Sequence, residues 1–117
     1  MNEDRLDHDL PALLCSVSLV EVARLHSEDM SLRGFFSHVN PEGEQPWDRL
    51  ERFGVTNWQT VGENIARGDM TPAVVERAWM NSPGHRANIL NPDYTHIGVG
   101  VFRDGNNTSW TQLFARF

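Results

Sequence analysis

The sequence is poor in several features that would reveal a function class directly. It contains one cysteine, Cys15, and no lysine, so that all ten positively charged residues are arginines. One cysteine cannot form an internal disulfide, and its neighbours Leu13, Leu14 and Val17 predict a small buried core residue. No apolar run approaches the roughly 18 residues that a membrane-spanning helix needs. We therefore expect neither an internal cross-link nor an integral membrane segment.

Positive charge is also scarce. Sixteen acidic residues against ten arginines give a net charge of −6. Because phosphate binding needs clustered cations, nucleic acid is not an expected partner. Residues 1–10 are polar and acidic, and they lack the basic-then-apolar plan of a signal peptide. Two interpretations stay open: a cytoplasmic protein, or a mature domain that is separated from its export signal.

Hydrophobic spacing divides the chain into a polar lead-in at 1–10 and a single domain at 11–117. It predicts a helix from Pro11 to about Leu32, with Gly34 ending it. Shorter helices are expected to begin at Pro46, after Thr71 and after Ser82. A strand is expected from Trp58 to Ala66, and alternation from His96 to Phe117 predicts a hairpin turned at 104–107. Within it, Gly98 and Gly100 would let another element approach closely. Helices followed by strands indicate an α+β fold.

The segment from Trp79 to Leu90 carries the most information. Ser82 and Pro83 predict a helix N-cap with a capping hydroxyl and a first helical residue. His85 then falls at the third helical position, where the partial positive charge of the helix end favours a neutral imidazole. A neutral imidazole suits a metal ligand or a general base.

Two further side chains are candidates for chemistry. His38 lies at an element junction, where functional residues concentrate. Glu63 follows a glycine in an apolar strand, and its burial would require a histidine or another partner; an ordinary exposed glutamate is the alternative. His26, inside the first helix, is expected to have a packed or surface role. The catalytic motifs HExxH, CxxC, GxSxG, GxGxxG and the P-loop are absent.

Several segments together resemble the CAP superfamily (cysteine-rich secretory proteins, antigen 5 and pathogenesis-related 1 proteins), or SCP domain, in its compact bacterial branch. The match runs from about Leu14 to Phe114. The segments that carry it are Ala23–Met30, Phe36-Ser37-His38, Asp48-Arg49-Leu50, Gly62-Glu63-Asn64-Ile65-Ala66, Trp79–Leu90 and Ile97-Gly98-Val99-Gly100.

The resemblance implies an α-β-α sandwich with a small antiparallel sheet and a central cleft. In many members two histidines and two glutamates line that cleft and bind a divalent metal, often zinc. Carried over, these are His38, His85 and Glu63, with Asn64 as a supporting residue. The second glutamate position holds Ser82, so the set is incomplete and zinc binding stays open. Two imidazole ligands leave free positions on a tetrahedral zinc.

Three functions follow from this resemblance. The first is a binding module whose cleft holds a small molecule, lipid or peptide. The second is a zinc-dependent hydrolase of peptides or cell-wall material, with His38 and His85 on the metal and Glu63 as general base. The third is a metal-free scaffold in which His38 and Glu63 form a hydrogen-bonded pair. We place binding or scaffold before catalysis. The resemblance also implies an extracellular or cell-surface protein, and we expect a monomer.

Overall fold

The computed structural model describes residues 1–105 and 107–117, which form five helices and four strands. The helices are α1 (Asn2–Asp7), α2 (Val17–Arg33), α3 (Pro46–Arg52), α4 (Pro72–Met80) and α5 (Pro83–Ile89). The strands are β1 (Leu14–Cys15), β2 (Thr60–Arg67), β3 (His96–Phe102) and β4 (Ser109–Arg116). They form one sheet in the order β1-β3-β4-β2, in which β1 is parallel to β3 and the other pairs are antiparallel.

Each face of the sheet is covered by helices, because β4 alternates large side chains between two apolar clusters. Leu113 packs with residues of α2 and α3, including Leu19 and Leu50. Phe114 points the other way and packs with residues of α4 and α5, including Trp79. Seven of the eight residues of β4 are buried. This layering confirms the predicted α-β-α sandwich.

The strand pairing of the predicted hairpin is confirmed, and its glycines explain how α2 fits against it. The turn predicted at 104–107 includes residue 106, which lies outside the described residues. β3 and β4 pair antiparallel from His96↔Ala115 to Phe102↔Ser109. A Cβ atom at Gly98 would overlap the backbone of Leu19, and one at Gly100 would overlap the backbone of Arg24. Only a residue without a side chain lets a helix lie this close to a strand.

β2 lies at one edge of the sheet, where α4 and α5 meet it. The carbonyl oxygen of Glu63 accepts a hydrogen bond from Asn88 Nδ2 at 3.1 Å. The carbonyl oxygen of Ile65 accepts a hydrogen bond from Trp79 Nε1 at 3.1 Å. Residues two apart in a strand direct their carbonyls to the same side, so both bonds lie on the outer edge of β2. They attach the second helical layer to this strand.

The structure differs from several local expectations. The predicted lead-in contains α1, whose Arg5 is buried and donates to the carbonyls of Pro11, Ile89 and Asn91. The first long helix begins at Val17, which is 72% exposed, and not at Pro11. Cys15 is exposed in β1 instead of buried in a helix. Of the three apolar neighbours that predicted a core position, only Leu13 is buried, whereas Leu14 in β1 and Val17 at the start of α2 are exposed.

Candidate functional site

The centre of the candidate site is Glu63, whose side chain is 1% exposed. Arg49 Nη2 donates to Oε1 at 3.0 Å and to Oε2 at 2.8 Å. The ring nitrogen Nδ1 of His38 lies 2.8 Å from Oε1. A buried carboxylate is costly unless it is paired and hydrogen-bonded. Of the two interpretations that the sequence left open for Glu63, the fold contains the buried carboxylate with partners and not the exposed strand glutamate.

Arg49 is the residue that sequence reasoning missed. It projects from α3, is 3% exposed, and also donates to the backbone carbonyl of His38 at 3.0 Å. One guanidinium nitrogen thus joins α3 to β2 and to the loop before α3. Nε and Nη1 of Arg49 have no hydrogen-bond partner among the described residues. The segment Asp48-Arg49-Leu50 was noted as part of the resemblance, but nothing local marks its arginine as buried.

His26 lies behind this group, packed in α2 and 2% exposed. Its Nε2 lies 2.9 Å from the carbonyl oxygen of Ser37 and 3.9 Å from Glu63 Oε1. Because a carbonyl only accepts, Nε2 carries the proton and Nδ1 is the unprotonated nitrogen. Burial lowers the pKa of His26, and the charge of Glu63 opposes this. His26 is thus a packed, neutral neighbour of the carboxylate.

His38 is the part of the group that faces solvent, with 46% of its side chain exposed. Glu63 accepts the proton of its Nδ1, which leaves Nε2 as the free nitrogen of the neutral ring. A carboxylate in this position fixes both the tautomer and the orientation of an imidazole. His38 therefore offers a nitrogen lone pair from a rigidly held ring.

His85 is brought to the same edge by two asparagines. Asn64 Nδ2 donates to the His85 carbonyl at 3.1 Å, and Asn88 Nδ2 donates to Asn64 Oδ1 at 2.9 Å. Asn64 is fully buried, as a supporting residue should be. The pKa of the His85 imidazole is lowered by burial and, second, by the charge of His38. The two imidazoles are thus near enough to influence each other electrostatically.

Ser82 occupies the predicted N-cap position of α5, with extended backbone angles of φ −106° and ψ 119°, but its hydroxyl caps nothing. The expected capping hydrogen bond was therefore wrong. Pro83 at the first helical position supplies part of the explanation, because proline has no N–H that needs a partner.

The residues present do not make a closed metal site. Within residues 1–105 and 107–117, no group of three or more His, Cys, Asp and Glu side chains is placed to hold a metal ion. Both oxygens of Glu63 are already bonded to Arg49. His38 and His85 are then the available donors, fewer than the three protein ligands that catalytic zinc usually has. None of four surface hollows among the described residues is lined by His38, Glu63 or His85, and a central cleft stays a prediction.

Comparison with known proteins establishes the family. The model of the CAP family, described as the cysteine-rich secretory protein family, matches residues 1–114. The chain belongs to the CAP family. This CAP domain is 45% identical over 113 residues to the uncharacterized Bacillus subtilis protein YkwD, and the match covers 97% of this chain and 43% of YkwD. It is 48% identical over 103 residues to the uncharacterized membrane protein YlbC of the same organism, covering 87% of this chain and 29% of YlbC. The chain thus spans less than half of either relative.

Solved structures agree with this assignment. An extracellular SCP-domain protein from Bacillus anthracis superposes with a TM-score of 0.92 at 39% identity, over 99% of this chain and 37% of that one. An outer surface protein from Borrelia burgdorferi gives a TM-score of 0.90 at 24% identity, over 98% of this chain and 85% of that one, which supports the fold alone. Both of these structural relatives are extracellular or surface proteins. Among the described helices of this CAP domain, none has the length and apolarity to cross a membrane.

Proposed function

We propose that this CAP domain is a ligand-binding module of the cell exterior, and that the exposed edge formed by His38 and His85 is its binding face. One observation carries the proposal: His38 is half exposed, yet its ring is held from behind by the buried carboxylate of Glu63 at 2.8 Å. An imidazole that is fixed before a ligand arrives loses little entropy on binding. A purely structural histidine would gain nothing from such exposure.

In this proposal Glu63 orients His38 and is not the general base. A general base must reach the proton it removes, within hydrogen-bond distance or through one water. The side chain of Glu63 is 1% exposed and both of its oxygens accept hydrogen bonds from Arg49. Proton transfer from solvent would require that pair to open. The metal-free scaffold and the binding module are then two aspects of one arrangement, in which the buried pair supports the exposed imidazole of His38.

The ligand class follows from the two imidazoles. In its neutral form an imidazole ring offers a nitrogen lone pair to an N–H or O–H group of a small molecule, lipid or peptide. A divalent cation such as zinc would find two nitrogen donors and would complete its coordination with water, which favours weak binding. Expected zinc affinity is accordingly modest.

A zinc-dependent hydrolase is the second candidate, and the contact between His38 and Glu63 is what favours it. Metal-binding histidines commonly donate their second ring N–H to a carboxylate. In that case His38 and His85 would hold the cation, which would supply Lewis acidity toward a peptide or cell-wall substrate. The engagement of Glu63 with Arg49 counts against this candidate, since it occupies the carboxylate that would serve as base.

Imidazole resonances followed by NMR test the two candidates together. Protein with labelled histidines is titrated separately with zinc chloride, a fluorescent fatty acid and a model peptide. We expect at least one probe to shift the resonances of His38 and His85, and His38→Ala to abolish its binding. His8→Ala is the matched control, because His8 is an exposed histidine of the N-terminal segment. Probes that bind equally well to His38→Ala would contradict the binding face. Zinc-dependent hydrolysis that is lost in a folded Glu63→Gln variant would favour the hydrolase over the binding module.

A further inference from the structure

A surface groove that is lined in part by His26 carries a second inference, which does not depend on the His38 and His85 face. The groove runs between α2 and the segment around α3, and its volume is about 710 Å³. Its lining includes three large apolar side chains that are exposed to solvent: Leu25 at 42%, Leu32 at 62% and Phe53 at 45%. Leu25 and Leu32 are seven residues apart on α2, so they lie on one face of the helix.

The rim of the groove is acidic. Glu28, Asp29, Glu42 and Glu44 line it together with two arginines, which gives 2 − 4 = −2 charges. Both arginines are already engaged within the rim. Arg33 donates to Asp29 at 2.7 Å and to Glu42 at 2.6 Å. The charge of Arg33 is therefore not available to attract an anionic ligand.

Arg52 is engaged in the same way. It donates to Glu44 at 2.8 Å, and its guanidinium lies 4.9 Å from the centre of the Phe53 ring. Glu28 makes no ion pair with any described residue. The rim thus keeps carboxylate charge for which the protein supplies no cation.

The floor of the groove includes His26. The imidazole is buried and, because burial lowers the pKa of His26, uncharged near neutral pH. Its Nδ1 has no hydrogen-bond partner among the described residues. His26 thus adds no positive charge to the lining of the groove.

We propose that this groove binds an extended peptide segment of another protein, in which a large apolar side chain is flanked by arginine or lysine. The apolar side chain would cover Leu25, Leu32 and Phe53, and the flanking cations would meet the acidic rim. Charge complementarity selects this occupant over the others. A fatty acid or an anionic headgroup would face repulsion, and so would a second copy of a chain with a net charge of −6.

Fluorescence anisotropy with synthetic peptide probes tests the proposal. One probe carries leucine and phenylalanine between arginines, and in its matched partner glutamates replace the arginines. We expect the basic probe to bind, the acidic probe not to bind, and affinity to fall as salt rises from low to physiological strength. Leu32→Ser should weaken binding about tenfold, by loss of one buried apolar anchor. Glu28→Gln should weaken it severalfold. Leu6→Ser is the control, because Leu6 is exposed to a similar degree, 59%, on α1.

The imidazole resonances separate this groove from the other face. Binding of the basic probe should shift the resonances of His26 and leave those of His85 unchanged, so that failure of one proposal does not decide the other. Equal binding of the acidic probe, or unchanged affinity in Leu32→Ser, would overturn the proposal. Binding of a fluorescent fatty acid that Leu32→Ser abolishes, or self-association in sedimentation that this variant abolishes, would assign the groove to another occupant.

Discussion

Replacing Glu63 with glutamine should destabilise the domain strongly, because it leaves the guanidinium of Arg49 buried without a counter-charge. The two side chains are 1% and 3% exposed and are joined at 2.8 Å. Removing one partner of a buried ion pair costs about 3–5 kcal/mol. Domains of this size have about 5–15 kcal/mol in total. A loss of that size should lower Tm by about 12–20 °C.

Thermal unfolding followed by circular dichroism, with a chelator present, measures this loss without any contribution from metal. Glu44→Gln is the matched control, since Glu44 also pairs with an arginine at 2.8 Å, but with an Arg52 that is 55% exposed. Exposed pairs contribute about 0–1 kcal/mol, so Glu44→Gln should change Tm by only a few degrees. The double variant Glu63→Leu with Arg49→Met should be more stable than Glu63→Gln, because it leaves no unpaired charge. A loss below about 1 kcal/mol in Glu63→Gln would refute the reasoning.

Three further outcomes are expected. Gly100→Ala should lower the free energy of unfolding by about 1–3 kcal/mol in urea titrations, because its Cβ would displace α2; an unchanged midpoint would disprove the close approach. Burial raises the pKa of Glu76 to about 7, so the folded state binds a proton that the unfolded state releases between pH 4.5 and 7. Its contribution to stability therefore falls as pH rises through that window. The Tm of Glu76→Gln minus the Tm of wild type should accordingly be larger at pH 8 than at pH 5. Asn64→Ala should cost about 2 kcal/mol and shift the NMR resonances of His85, whose carbonyl it releases; resonances that stay in place would show that α5 is held by other contacts.

The features of the fold that depend on local chemistry were predictable from the sequence. Thr71 caps α4 through its side chain, as a threonine before a proline indicates. Gly34 ends α2 in the left-handed conformation, with φ of 69°. The hairpin and the close approach at its glycines follow from alternation and from the absence of side chains. The helical layers came from the resemblance, because no local pattern says which face of the sheet a helix covers.

The candidate site could be predicted only in part, because burial is decided by residues distant in sequence. Arg49 lies 14 residues before Glu63, in a short helix where an arginine ordinarily faces solvent. His26 lies farther still, and its place behind the carboxylate depends on how α2 crosses the sheet. Cys15 shows the opposite error, since apolar neighbours suggested a core position where the chain forms an exposed edge strand. Glu63, in contrast, was recognisable as a candidate because it interrupts an apolar strand.

The two side-chain hydrogen bonds on the outer edge of β2 restrict how this domain can meet other proteins. An open strand edge invites pairing with a strand from another molecule, which leads to β-augmentation or to aggregation. Asn88 and Trp79 occupy the carbonyls of Glu63 and Ile65 that such a strand would need. The opposite edge is the two-residue strand β1, which offers little length for pairing. Pairing of a strand from another molecule is therefore hindered at both edges of this sheet, which leaves side chains and helical surfaces for contact with other proteins.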